Sequence, residues 1–204
     1  MIAIIDYGVG NLRSVEKALQ AVGATASLTN DPGLIREAER LVLPGVGAFG
    51  ECAKRLRESK LDKLVLEAAE RQKPIIGLCV GLQLMFDEGH EFGVHAGLGL
   101  MRGRVIRFPR TGPHVPQIGW NQIEKVEACS LLEGIGNGSY FYFVHSYHVE
   151  ADNPEDILAM TEYGIEYPSI CARGSVCGVQ FHPEKSQDNG LRLLANFAGL
   201  PPKP

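Results

Sequence analysis

The sequence predicts an α/β fold: an open, mainly parallel sheet flanked by helices, with an antiparallel extension. Three observations carry this expectation. Strand-like and helix-like segments alternate through the first 90 residues, the pattern of a parallel sheet covered on both faces. The second half instead strings together short strand-like segments joined by turns. Finally, 204 residues with 45% hydrophobic content, unbroken by a repeat or linker, suffice for one well-buried core, so residues 1–204 read as a single domain.

Taken in order, residues 2–6 (IAIID) read as a buried strand. In LRSVEKALQAV the apolar positions 12, 15, 18, 19 and 22 have helical spacing, and Gly23 supplies the stop. A short strand over 24–28 follows, then a helix over 33–39 opened by Asp31 and Pro32. Residues 41–43 form an apolar strand closed by PGVGAFG, and helical segments cover 49–58 and 61–71. The run 74–78 is another buried strand. It meets a cysteine held between two glycines and passes at once into an apolar helix containing one glutamine. Later strand-like segments are MRGRVIRF, IGWNQIEKV, SYFYFVHSYHVE, DILAMTEY, SICARG and VCGVQFH, and a last helix spans 187–198. Strand order is not recoverable from this pattern.

Bulk properties narrow the function. Net charge is −4 with no run of Lys and Arg, so electrostatics gives no support for nucleic-acid binding. The start, MIAIIDYGVG, lacks a basic leader and reaches Asp6 too soon for a membrane span. Five widely spaced cysteines without a C-x-x-C pair indicate neither a disulfide framework nor a zinc site. The expectation is a cytoplasmic protein acting on a small molecule or a protein partner, with no metal and no cofactor.

The chemistry centres on GLCVGLQ. Cys79 at a strand-to-helix turn is either a small buried hydrophobe or a presented nucleophile. Such a turn pushes the side chain clear of both elements, and Gly77 and Gly81 remove side chains that would crowd it. G-x-nucleophile-x-G is the elbow pattern, with cysteine in the place of serine. A helix N-terminus favours a thiolate over a thiol, and the N–H of Val80 can meet an oxyanion formed beside the sulfur. Cys52, Cys129, Cys171 and Cys177 lack this context and read as structural.

The candidate base is in GVQFHPEKS. His182 and Glu184 are two apart, so in an extended segment they face one way, and Pro183 stiffens the backbone between them. A carboxylate on one imidazole nitrogen fixes the tautomer and leaves the other nitrogen for the thiol. A solvated surface turn is the alternative. The acid following the histidine also differs from the nucleophile–acid–histidine order of serine α/β-hydrolases. LPGVGAFG, residues 43–50, lacks the G-K-[ST] of a phosphate loop. It is either a plain turn or a source of backbone N–H groups for an oxyanion.

PGVGAFG, GLCVGLQ and HPEKS, standing in this order, resemble the class I (triad-type) glutamine amidotransferases over nearly the whole chain. IDYGVGNLRSV, PGVG in place of P-G-G, IGWN at 118–121 and FVHSYH at 143–148 are similar to the glutaminase subunits of imidazole glycerol phosphate synthase. The resemblance implies a flavodoxin-like sheet and a Cys79–His182–Glu184 triad that hydrolyses L-glutamine to glutamate and ammonia through a γ-glutamyl thioester. It implies an oxyanion site from Val80 and the Gly45-Val46-Gly47 strand, the latter through a peptide flip coupled to the partner. Gln83, Ser146 and Tyr147 correspond to glutamine-binding positions. The implied partner is a (β/α)₈-barrel cyclase that takes ammonia directly and forms imidazole glycerol phosphate and AICAR from a ribulosyl precursor in histidine biosynthesis. By the same resemblance Lys185 faces that cyclase, with simple solvation as the alternative. One departure is Gln117, where relatives often carry histidine before the G-W-N element; His114 is not assigned that role. Other enzymes on this scaffold are a γ-glutamyl hydrolase and the glutaminase of another pathway. The non-enzymatic alternative is a flavodoxin-like module with Cys79 as a redox sensor.

Overall fold

The computed structural model describes residues 1–125, 127 and 129–199. The first half alternates as expected: β1 (Ile2–Ile5), α1 (Leu12–Ala21), β2 (Ala26–Thr29), α2 (Pro32–Glu37), β3 (Arg40–Gly45), α3 (Phe49–Glu58), α4 (Leu61–Glu70), β4 (Ile75–Cys79) and α5 (Val80–Leu84). The second half holds β5 (Glu88–Gly89), β6 (His95–Ala96), β7 (Gly103–Arg107), β8 (Gln117–Gln122), β9 (Glu124–Lys125), β10 (Tyr140–His145) and β11 (Tyr147–Ala151). It ends with β12 (Ile157–Glu162), β13 (Glu166–Arg173), β14 (Val176–Val179) and α6 (Gln187–Ala198).

An eight-stranded sheet runs in the order β2-β1-β3-β4-β14-β13-β12-β9. Its first five members are parallel, and β13, β12 and β9 extend it antiparallel. Alternation along the parallel strands feeds two apolar layers. Ala3, Ile5, Leu41, Leu43 and Ile75 pack on the face of α3 and α4, while Ile2, Ile4, Val42, Ile76 and Leu78 pack toward α1 and α6. At the start of α2 the Asp31 side chain accepts from the Leu34 N–H at 2.9 Å, and Pro32 opens the helix.

Two segments depart from expectation. The apolar run after Cys79 gives a helix of only five residues. Its end is taken up by a neighbouring loop, since the carbonyls of Leu84, Met85 and Phe86 accept from Leu98, Leu100 and Gly99. SYFYFVHSYHVE is not one strand: the chain breaks at Ser146, so β10 pairs with β8 and β11 joins β7 in a second small sheet.

The order β3-β4-β14 decides where chemistry can occur. The carboxyl ends of these three adjacent parallel strands carry PGVG, Cys79 and the segment leading to His182. At the elbow Cys79 has φ 54° and ψ −111°, a strained backbone for a residue with a side chain. Glycines make the strained turn possible. A Cβ on Gly77 would lie 2.6 Å from the Gly81 carbonyl carbon, and one on Gly81 would collide with the Leu43 carbonyl oxygen. The expected outcome for Gly81→Ala is a loss of about 3 kcal/mol from overpacking against backbone that cannot yield, measured by urea unfolding.

Candidate active site

Cys79 ends β4 almost fully buried, with its side chain lining a cavity of about 380 Å³. His182 follows β14 in extended backbone, and its N–H is held by the Tyr142 carbonyl at 2.9 Å. Glu184 does not continue that extended segment, because Pro183–Lys185 is a 3₁₀ turn. The turn still folds the carboxylate back onto the ring, with His182 Nδ1 to Glu184 Oε1 at 2.9 Å and side chains only 8% and 3% exposed. The second carboxylate oxygen has no partner, so the charge of Glu184 is directed at one histidine.

This arrangement decides the state of the imidazole. Burial alone would lower its pKa. Hydrogen bonding and coulombic interaction with Cys79 and Glu184 outweigh burial and raise His182 to about 10. The ring therefore carries a proton at neutral pH, ready to be given away.

Val46, Gly47, Cys79, Val80, Gln83, Ser146, Tyr147, His182 and Lys185 all line the cavity, whereas Gly45 does not and Glu184 stands behind His182. Val46 and Gly47 form one wall, with Val46 40% exposed and Gly47 at φ +103°. Val80 begins α5 beside the thiol. The buried Gln83 amide donates to the Tyr147 carbonyl and to Gln180 Oε1, both at 3.0 Å. Ser146 and Tyr147 enter at the break between β10 and β11, and Lys185 stands at the rim, 5.9 Å over the Tyr142 ring.

Two residues escaped the sequence reading. Gln180 is fully buried, and its Nε2 donates to Cys79 Sγ at 3.7 Å while its Oε1 holds Gln83. The signal was a lone amide in VQFH, two residues before His182 on the same strand face. Glu91 also lines the cavity, where its Oε2 accepts from the Phe49 N–H at 2.8 Å. It comes from the loop between β5 and β6, which no periodicity tied to Cys79. Gln117, by contrast, is a core residue. It accepts from Tyr167 Oη at 2.9 Å, within the cluster that surrounds His145. His114 lies apart on the exposed surface, its carbonyl held by Tyr163.

The family model described as glutamine amidotransferase class-I matches residues 3–199. The imidazole glycerol phosphate synthase subunit HisH of Salinibacter ruber is 51% identical, covering 98% of this chain and 95% of its own length. The subunit of that name from Desulfitobacterium hafniense is 47% identical over 97% of this chain and 93% of its own. The chain belongs to the HisH family of class-I glutamine amidotransferases. The structure of PurLQS from Thermotoga maritima shares the fold of this HisH-family chain, with a TM-score of 0.78 over 97% of both chains at 18% identity. Among the described residues of this amidotransferase, no helix is long and apolar enough to cross a membrane.

Two pH-dependent outcomes follow from these environments. Glu184→Gln removes a negative partner, so the His182 titration moves down from about 10 by at least about one unit, read by NMR of the imidazole. His145 responds in the opposite sense: burial first, and the neighbouring His148 and His182, push it down to about 3. Between that value and the ordinary histidine range the unfolded chain binds the extra proton. Stability therefore falls as pH drops through about 6.5 toward 3. Replacing His145→Gln flattens this loss in denaturant titrations across that range.

Proposed function

We propose that this chain is the glutaminase subunit of imidazole glycerol phosphate synthase, with residues 1–204 as one glutaminase domain. The observation carrying the reading is a buried His182–Glu184 pair that shares a cavity with the strained elbow cysteine. Cys79 attacks the side-chain amide carbon of L-glutamine, and the carbonyl oxygen takes the negative charge. Backbone N–H groups of Val80 and of the Gly45-Val46-Gly47 strand receive it. His182 gives its proton to the departing amine, ammonia leaves, and a γ-glutamyl thioester remains. Water then attacks the thioester while His182 takes its proton. Collapse releases glutamate and restores the sulfur. Glu184 keeps the ring oriented and supports its positive state.

The zwitterionic end of glutamine needs groups of both kinds. Glu91 is the one carboxylate lining the cavity among the described residues, and we assign it to the α-ammonium group. Ser146 and Tyr147 take the α-carboxylate side, and the Gln83–Gln180 pair holds the floor beneath the sulfur. A reaction that needs a free thiol suits the reducing cytoplasm, and five free cysteines agree with that compartment.

For the partner, we propose a (β/α)₈-barrel cyclase docked over the cavity rim. Lys185 packs on Tyr142, Tyr142 meets Trp120 edge-on at 6.0 Å, and Ile118, Trp120 and Tyr140 are exposed beside them. An apolar patch rimmed by charge at the mouth of a site is the usual form of a protein interface. Direct delivery also has a chemical reason, since ammonia released into neutral water is protonated and loses its nucleophilicity. In a glutamate-release assay, the expected outcome is little turnover alone, a strong rise with the cyclase and its nucleotide ligand, and none for Cys79→Ser. Full turnover by that variant, or indifference to the cyclase, overturns the proposal.

A further inference from the structure

Two buried side chains with no part in the steps above hold the wall of the cavity from behind. Tyr7, just after β1, donates its hydroxyl to the Pro44 carbonyl at 2.6 Å. Cys52, in the first turn of α3, donates its thiol to the Val46 carbonyl at 3.4 Å. The two side chains also lie close enough to influence each other's titration. Burial raises the Cys52 thiol to about 11 and the Tyr7 phenol well above its ordinary range, so both keep their protons as donors at neutral pH.

The carbonyls they grip are two residues apart, and the Gly45–Val46 peptide unit lies between them. That unit sits directly against the elbow: a Cβ on Gly45 would lie 2.8 Å from the Gly81 nitrogen and 2.9 Å from Val80 Cβ. Peptide units are planar, so the direction of the intervening N–H depends only on rotations at the α-carbons of Gly45 and Val46. Fixing the carbonyl on each side restricts those rotations together. Glycine at 45 and again at 47 leaves this stretch without intrinsic preference, so the restraint must come from outside it.

We infer that Tyr7 and Cys52 are positioning residues which clamp the Pro44 and Val46 carbonyls and so set how the Gly45–Val46 N–H is presented beside Cys79. The inference rests on the assignment of the 45–47 strand to the oxyanion. The clamp touches no reacting atom. It acts through the backbone that does.

The test uses the chain bound to its cyclase with nucleotide ligand present, and compares Tyr7→Phe, Cys52→Ala and Cys52→Ser. Loss of a whole oxyanion donor costs about a hundredfold or more in turnover. Loosening the strand that carries one is expected to lower kcat about tenfold in Tyr7→Phe and Cys52→Ala, with KM for glutamine within about twofold. Cys52→Ser keeps a donor and restores kcat. Glutamate γ-semialdehyde, which adds to Cys79 and places a negative oxygen in the same position, binds more weakly in step with kcat. Alkylation of Cys79 by iodoacetamide, which forms no oxyanion, keeps its wild-type rate. Unchanged kcat in Tyr7→Phe overturns the clamp, and so does a fall in kcat with undiminished semialdehyde affinity. Tyr7→Phe removes a single hydroxyl, so it decides the matter even if Cys52→Ala fails to fold. Wild-type protein that turns over glutamine but binds the semialdehyde no more tightly than glutamine overturns the oxyanion assignment itself, a different result from failure of the clamp alone.

Discussion

The structure depends on how closely the first turn of α5 approaches the ends of β3 and β4. Gly81 lies where no side chain fits beneath the Leu43 carbonyl, and Gly77 and Gly45 clear the space on either side. This contact forces the chain to reverse at Cys79 within one residue, which is why that residue accepts φ 54°. A strained conformation of this kind costs on the order of 1–3 kcal/mol and persists only where surrounding packing leaves no alternative. Here the packing comes from three adjacent parallel strands whose registers tie Gly45 to Cys79 and Leu78 to Val179. The same geometry that strains the backbone also brings the nucleophile, the glycine-rich wall and the base to one edge of the sheet.

Electrostatics adds a second layer to that frame. A buried imidazolium is expensive unless paired, and breaking such a pair leaves an uncompensated charge behind. His182 is paired on one side with Glu184 and faces Cys79 on the other. The unpartnered second oxygen of Glu184 concentrates the carboxylate's effect on that ring. Nearby, His145 is held neutral by burial, its Nδ1 on the Tyr147 carbonyl at 2.9 Å. Two buried histidines in one neighbourhood thus take different charge states, and the difference is that His182 has Cys79 and Glu184 as partners.

The parallel half of the fold and the triad were legible in the sequence because both are local. Strand and helix periods can be counted, and G-x-C-x-G and H-P-E each lie within five residues. What stayed hidden was long-range. The split of SYFYFVHSYHVE at Ser146 depends on two different sheets competing for one segment. Glu91 reaches the cavity from a loop tied to α3 by a hydrogen bond from the Phe49 N–H, a contact 42 residues apart in sequence. The His182–Glu184 contact was anticipated for a reason that does not hold, an extended i, i+2 pair, whereas a 3₁₀ turn makes it. Gln117 is likewise placed by the fold and not by any local pattern, since it accepts from Tyr167 in the core beside His145.

β14 sits between β4 and β13, hydrogen-bonded in parallel to one and antiparallel to the other. Among the described residues it is the last strand in sequence and the one that delivers His182. The contact from Gln180 to Cys79 spans 101 residues of sequence. During synthesis the elbow therefore leaves the ribosome long before its base exists, and non-local pairings of this kind form late. A nascent or truncated chain holds a cysteine without the histidine that arms it. The pairing of Cys79 with His182 and Gln180 therefore requires that β14 be docked between β4 and β13.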